Sequence, residues 1–106
     1  SKDMVISGGY NVYPKEIELL IDDLPGVIES AVIGVPHPDF GEGVVAVVVQ
    51  DAPDATNEDA ISAAIAPDLA RYKQPKRVYF VEALPRNTMG KVQKNVLRET
   101  YGETFK

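Results

Sequence analysis

The spacing of apolar residues changes several times along the chain, and each change marks an element. Met4-Val5-Ile6 is a short extended run that Ser7-Gly8-Gly9 breaks, and Tyr10-Asn11-Val12-Tyr13 is a second one before Pro14. The Gly8-Gly9 pair reads as a tight turn; its other reading is backbone that a ligand can approach closely, because no Cβ stands in the way. Pro14 opens a helix, where a missing amide proton costs nothing. Ile17, Leu20, Ile21 and Leu24 follow the i, i+3, i+4, i+7 rule and form one apolar stripe, which Pro25-Gly26 ends. Val27 to Val35 is a strand with Ala31, Ile33 and Val35 on one face and Ile28 and Val32 on the other. Pro36-His37-Pro38-Asp39 ends it, which places His37 in a loop. Val44 to Val49 is apolar without alternation, the pattern of a strand covered on both faces.

A polar turn through Pro53 leads to Thr56, which can cap a helix from Asn57, with Asp59 completing an imperfect capping box. Ala60, Ile61, Ala64 and Ile65 are its expected buried side, and Pro67 ends or restarts it. Tyr72 to Lys76 is a basic connector, and Arg77 to Val81 is the third long strand. A last short helix is expected from near Asn95, with Leu97 and Tyr101 inward, and the tail from Gly102 to Lys106 is expected to fray. The order β-β-α-β-β-α-β-turn-α predicts an α+β fold: a small central sheet with helices packed on it, preceded by a short two-stranded β piece.

The stretch from Leu84 to Arg98 stands apart. Pro85 fixes one φ and Gly90 permits a positive one, so a tight turn can carry Lys91 near its tip. A lysine there is presented rather than packed, and its compact ammonium could meet a carboxylate and a phosphate together. The plain alternative is a solvated hairpin tip. A Walker phosphate loop is excluded, because Pro85 stands where its first Gly belongs and Val92 where its Ser or Thr belongs.

Composition narrows the class. The 106 residues make one domain, 44% hydrophobic and 25% charged, within the range of ordinary soluble globular chains. Without cysteine there is no disulfide or thiolate metal site, and the lone His37 cannot build a histidine cluster, so no metal site is expected. No apolar run reaches membrane-spanning length and no signal peptide opens the chain, so a cytoplasmic protein without a membrane partner is expected. The abrupt start at Ser1-Lys2-Asp3 reads as a piece of something longer. Net charge is −5, yet residues 71–98 hold eight basic residues against the single acidic Glu82. The acidic remainder argues against nucleic acid. The basic segment points to an anionic ligand, an acidic partner surface, or a mere fluctuation of surface charge.

Several segments together resemble one family. Lys2-Asp3, Ile6, Gly8-Gly9, Asn11-Val12, Pro14 and Glu16-Ile17-Glu18 resemble the opening motif of the C-terminal domain of adenylate-forming enzymes. Val32-Ile33-Gly34-Val35-Pro36 and Gly41-Glu42 are similar to its middle stretch. Tyr72-Lys73-Pro75, Pro85-Arg86-Asn87, Gly90-Lys91-Val92 and Leu97-Arg98 resemble its closing motif. The likeness covers essentially the whole chain in order. Within the family it is closest to acyl-CoA synthetases, and residues 36–43 resemble those of malonyl-CoA synthetases.

The resemblance implies an acid–thiol ligase. A carboxylic acid attacks the α-phosphate of MgATP to give an acyl-adenylate and pyrophosphate, and coenzyme A then displaces AMP. ATP and Mg would be held mainly by a large N-terminal domain, the partner of this mobile lid, so the excised fragment is expected to be inactive alone. Lys91 matches the adenylation lysine, with Arg86 and Gly90 supporting its loop. Gly8, Gly9 and Tyr10 match the thioesterification loop, Asn11 stands where some relatives carry a basic residue for the coenzyme A phosphate, and Glu16 matches a carboxylate that braces the loop. The other reading of Glu16 is compensation of the helix dipole. Lys2 and Asp3 fall at the hinge between domains. The family likeness further implies reversible acetylation of Lys91, with a lysine acetyltransferase and a deacetylase as partners. The competing reading is a non-catalytic module that docks an acidic partner through its basic 71–98 face.

Overall fold

The computed structural model describes residues 3–106. Its elements are β1 (Val5–Ser7), β2 (Tyr10–Val12), α1 (Pro14–Asp22), β3 (Val27–His37), β4 (Gly41–Gln50), α2 (Glu58–Ile65), β5 (Arg77–Phe80) and α3 (Lys94–Thr100), with 3-10 turns at Ala66–Asp68 and Arg71–Lys73. The expected α+β order holds.

Everything is hung on β4. It pairs antiparallel with β3 along its whole length, parallel with β5 through Val45–Val48, and with β1 at the single register pair Ser7↔Gly41. The parallel β4–β5 pair uses α2 as its crossover, as a parallel connection requires. Successive β4 residues serve opposite cores. Val44, Ala46 and Val48 pack with Ile17 and Ile21 of α1 and Ile61 and Ile65 of α2. Val45, Val47 and Val49 pack with Leu84, Leu97 and the Tyr79–Tyr101 pair on the other face. The unbroken valine run is thus a strand with two dry sides, and each fully buried valine contributes about 1.5–3 kcal/mol.

Five local expectations are corrected. Ile28 is exposed and does not share the buried face of Val32, because the β3–β4 register shifts between Val27 and Glu29. The cap of α2 is Asn57, whose Oδ1 accepts from the Ala60 amide at 2.9 Å, and not Thr56. Ala60 and Ala64 lie outward, leaving Ile61 and Ile65 as the buried edge. The tail does not fray. Phe105 lies over Gly43, where a Cβ would come within 2.5 Å of its ring, and the Thr104 hydroxyl bonds that of Tyr79 at 3.0 Å. β3 also runs to His37, past the proline expected to stop it.

Candidate active site

The 84–98 stretch folds as a closed loop. Arg86 bridges Val92 antiparallel, and the Gln93 amide donates to the Pro85 carbonyl at 2.8 Å. Within the loop the Asn87 amide donates to the Lys91 carbonyl, and the Gly90 amide to the Asn87 carbonyl, both at 2.9 Å. Asn87 Oδ1 then accepts from the amides of both Met89 and Lys91 at 3.0 Å. Gly90 sits at φ +82°, where a Cβ would meet nothing within 4 Å, so the requirement is conformational rather than steric. Arg86 seals the loop: Nη1 donates to the Gly90 carbonyl at 2.6 Å, and Nη2 pairs with the Glu29 carboxylate on β3. Arg86 and Gly90 therefore shape the loop that carries Lys91. The Lys91 side chain is exposed and has no hydrogen bond or ion pair among the described residues. It lines an open cleft of about 820 Å³ with Val5, Lys15, Glu42, Lys94 and Arg98.

A second cleft of about 420 Å³ is built around the first turn by Gly8, Tyr10, Phe40, Arg71, Tyr72 and Lys76. Gly8 and Gly9 take φ +59° and +86°, which few side chains tolerate. The Gly8 amide donates to the Phe40 carbonyl at 2.9 Å, docking the turn on the β3–β4 hairpin. Tyr10 stacks on Tyr72 with ring centroids 4.5 Å apart, and Lys76 Nζ lies 4.5 Å from the Phe40 centroid. Glu16 accepts from Lys73 Nζ at 3.0 and 3.3 Å. That bond holds the lysine above its ordinary pKa. Lys73 neighbours Tyr72, so Glu16 reaches the Gly8–Tyr10 turn through the tyrosine stack. Of the two residues expected at a hinge, Lys2 lies outside the described residues, and the Asp3 carboxylate binds Lys94 Nζ.

Half of the cations of the basic segment are paired with carboxylates from elsewhere in the chain. Lys73 pairs with Glu16, Arg77 with Glu58, Arg86 with Glu29, and Lys94 with Asp3 and Glu18. Among the described residues, Arg71, Lys76, Lys91 and Arg98 are the cations of 71–98 without a carboxylate. They divide between the clefts, Lys91 and Arg98 in the first and Arg71 and Lys76 in the second, and the two linings share no residue. Phe40, Arg71 and Lys76 were not singled out from the sequence as site residues, and long-range pairing leaves no local signal for them. Asn87 did leave one, since Asn in the first position of a turn with Gly in the fourth is the pattern of a type I turn. No group of three or more His, Cys, Asp or Glu among the described residues could hold a metal ion.

Residues 16–91 match the AMP-binding enzyme C-terminal domain. The chain belongs to that family. Relatives of this C-terminal domain include the long-chain-fatty-acid–CoA ligase FadD13 of Mycobacterium tuberculosis, 53% identical over 103 residues, which are 97% of this chain and 20% of the ligase. A feruloyl-CoA synthase of an Amycolatopsis species is 45% identical over 101 residues, 95% of this chain and 21% of that protein. The crystal structure of apo MatB from Rhodopseudomonas palustris superposes with a TM-score of 0.97 at 63% identity, covering 100% of this chain and 21% of MatB. The domain thus spans about a fifth of the length of the curated relatives it matches.

Proposed function

We propose that this domain is the mobile lid of an ATP-dependent acyl-CoA synthetase, and that its two clefts serve the two half-reactions. The observation that carries the reading is that, among the described residues, the cations of 71–98 without a carboxylate divide between two clefts with no common lining residue. A single docking face would gather them in one place, which disfavours the interaction-module reading. In the first half-reaction Lys91 holds the attacking carboxylate against the α-phosphate of ATP and stabilises the charge that develops there. Its contribution is positioning and electrostatics, with no proton transfer. Arg86, Gly90 and Asn87 hold it at the tip. In the second half-reaction the Gly8-Gly9 backbone lets the pantetheine arm of coenzyme A pass, and the aromatic and cationic lining of the second cleft suits the nucleotide end of that thiol donor. Glu16 braces this lining through Lys73.

ATP and Mg belong mainly to the large N-terminal domain, this lid's partner. Presenting both clefts in turn requires rotation, which we assign to a hinge at Lys2 and Asp3; Lys2→Pro, by restricting φ, slows turnover of the intact enzyme. Unchanged turnover of that variant counts against the hinge. An exposed lysine with no side-chain partner among the described residues is also open to reversible acetylation, which would remove its charge and stop adenylation. A fully acetylated Lys91 with undiminished pyrophosphate release contradicts this regulation.

Malonate is the acid we assign, on the likeness of residues 36–43 and supported by the 63% identity to MatB. Thioester formation by the intact enzyme from ATP, coenzyme A and either malonate, a long-chain fatty acid or ferulate tests it. Malonyl-CoA is the expected product. Preference for either of the other acids, or no thioester from malonate, overturns the malonate assignment.

A further inference from the structure

Lys94 stands at a junction of four segments. It is the first residue of α3, three positions after Lys91. Its Nζ pairs with Glu18 Oε2 of α1 at 2.7 Å and with the carboxylate of Asp3. The same Glu18 oxygen accepts from the Val32 amide of β3 at 2.8 Å. The side chains of Lys94 and Glu18 are 18% and 12% exposed, so their attraction is screened less than that of a surface pair. The placement also runs against a local rule. A cation in the first turn faces the positive end of the helix dipole and carries a small cost. A broken local rule of this kind marks a position held for a reason beyond the helix itself.

We propose that Lys94 is a positioning residue for adenylation, tying the segment that leaves the hinge to the helix that follows the Lys91 loop. This rests on the lid reading above. If the lid swings about Lys2 and Asp3, any slack where the chain enters the domain becomes displacement at Lys91. Asp3 precedes β1, and its carboxylate is anchored on the start of α3 rather than on β1's own neighbours in the sheet. Rotation at the hinge then moves the entry segment, α1 and the Lys91 loop as one body. A misplacement of about 1 Å at a reacting group can lower a rate by about 100-fold, so the tie matters to the chemistry without touching substrate.

The test uses the intact enzyme carrying Asp3→Asn and Lys94→Gln, singly and together, with Lys94→Arg as the conservative variant. Pyrophosphate release gives kcat and KM for adenylation, and thioester formation from supplied acyl-adenylate gives the second step. Each single change lowers adenylation kcat by roughly 10- to 100-fold with KM retained and the second step intact. The double variant is no worse than the worse single one, and Lys94→Arg recovers part of the loss. Should Lys94→Gln fail to fold, Asp3→Asn still decides, since the Asp3 side chain is 47% exposed and its loss leaves Glu18 paired. Fold-losses that multiply in the double variant, or an unchanged adenylation kcat in Asp3→Asn, overturn the proposal. So does an equal loss of both steps with a lowered melting temperature. Lys91→Ala measured alongside separates the two levels. If it spares adenylation the lid reading fails; if it abolishes adenylation while Asp3→Asn does nothing, only the tie fails.

Discussion

Asn87→Ala is the sharpest perturbation of the Lys91 loop short of the lysine itself. Asn87 Oδ1 is the shared acceptor for the Met89 and Lys91 amides, each at 3.0 Å. Alanine leaves the Asn87 backbone bonds to Lys91 and Gly90 in place but removes both side-chain bonds. Each is worth about 0.5–1.5 kcal/mol net, and the exposed site lets water replace part of that, so the loop loses about 1–2 kcal/mol of preference for its closed form. A loss of that size shifts a two-state ratio by about 5- to 30-fold. Pyrophosphate release by the intact enzyme falls by up to that factor, because fewer molecules present Lys91. Thioester formation from supplied acyl-adenylate is unchanged, since the second cleft lacks this loop. Asn87→Asp keeps the acceptor and recovers most of the rate. If Asn87→Ala adenylates like the native enzyme, the loop geometry does not govern Lys91 and the reasoning fails.

Glu16→Gln weakens the hold on Lys73 and the Tyr72–Tyr10 stack, so it slows thioester formation while sparing pyrophosphate release; equal losses in both would leave only the helix-dipole role. Gly34→Ala places a Cβ within 2.5 Å of Glu42 Oε1 and 2.7 Å of a Val5 methyl. Glu42 also accepts the Ile6 amide at 3.0 Å, so the overpacking strikes β1 directly. A cost of about 1–3 kcal/mol lowers the melting temperature of the chain by about 4 °C or more, and an unchanged melting curve contradicts it. Asp22 is pushed above the usual carboxylate pKa, first by partial removal from water and then by Glu18, while its bond from Ser30 Oγ at 2.7 Å opposes the rise. A raised acid pKa means that ionising the group costs stability, a cost present above the raised value and absent below the ordinary value of about 3.9. Asp22→Asn keeps an acceptor for Ser30, so it stabilises the chain at neutral pH and loses the advantage in acid; destabilisation at neutral pH contradicts this.

The sheet was legible because its code is local. The valine run of β4 read as a strand covered on both faces, and the stripe of α1 as a helix with one buried side, and both are so packed. The misreadings came where local patterns meet long-range pairing. Alternation placed Ile28 on the face of Val32, but a register shift between Val27 and Glu29 turned it out. Polarity made the tail look loose, but Phe105 finds the bare backbone of Gly43, which no spacing rule anticipates. The candidate site divides the same way. The turn around Gly90 and the tight Gly8-Gly9 turn were readable from φ requirements alone. The carboxylates that pair with cations of the basic segment were not, because Glu16 and Lys73, or Asp3 and Lys94, meet only after folding. Among the described residues Lys91 is one of four cations of 71–98 without a carboxylate partner, and what sets it apart from them is its place on the loop that Arg86 and Asn87 hold; seeing this required knowing which cations were already paired.

In the proposed division of labour Lys91 serves adenylation and not thioester transfer. The direct measurement follows both half-reactions in the intact enzyme carrying Lys91→Ala: pyrophosphate release from ATP and acid, and thioester formation from supplied acyl-adenylate and coenzyme A. Collapse of the first with survival of the second is the predicted result. Survival of both would reduce the 84–98 loop to a surface feature and contradict the account.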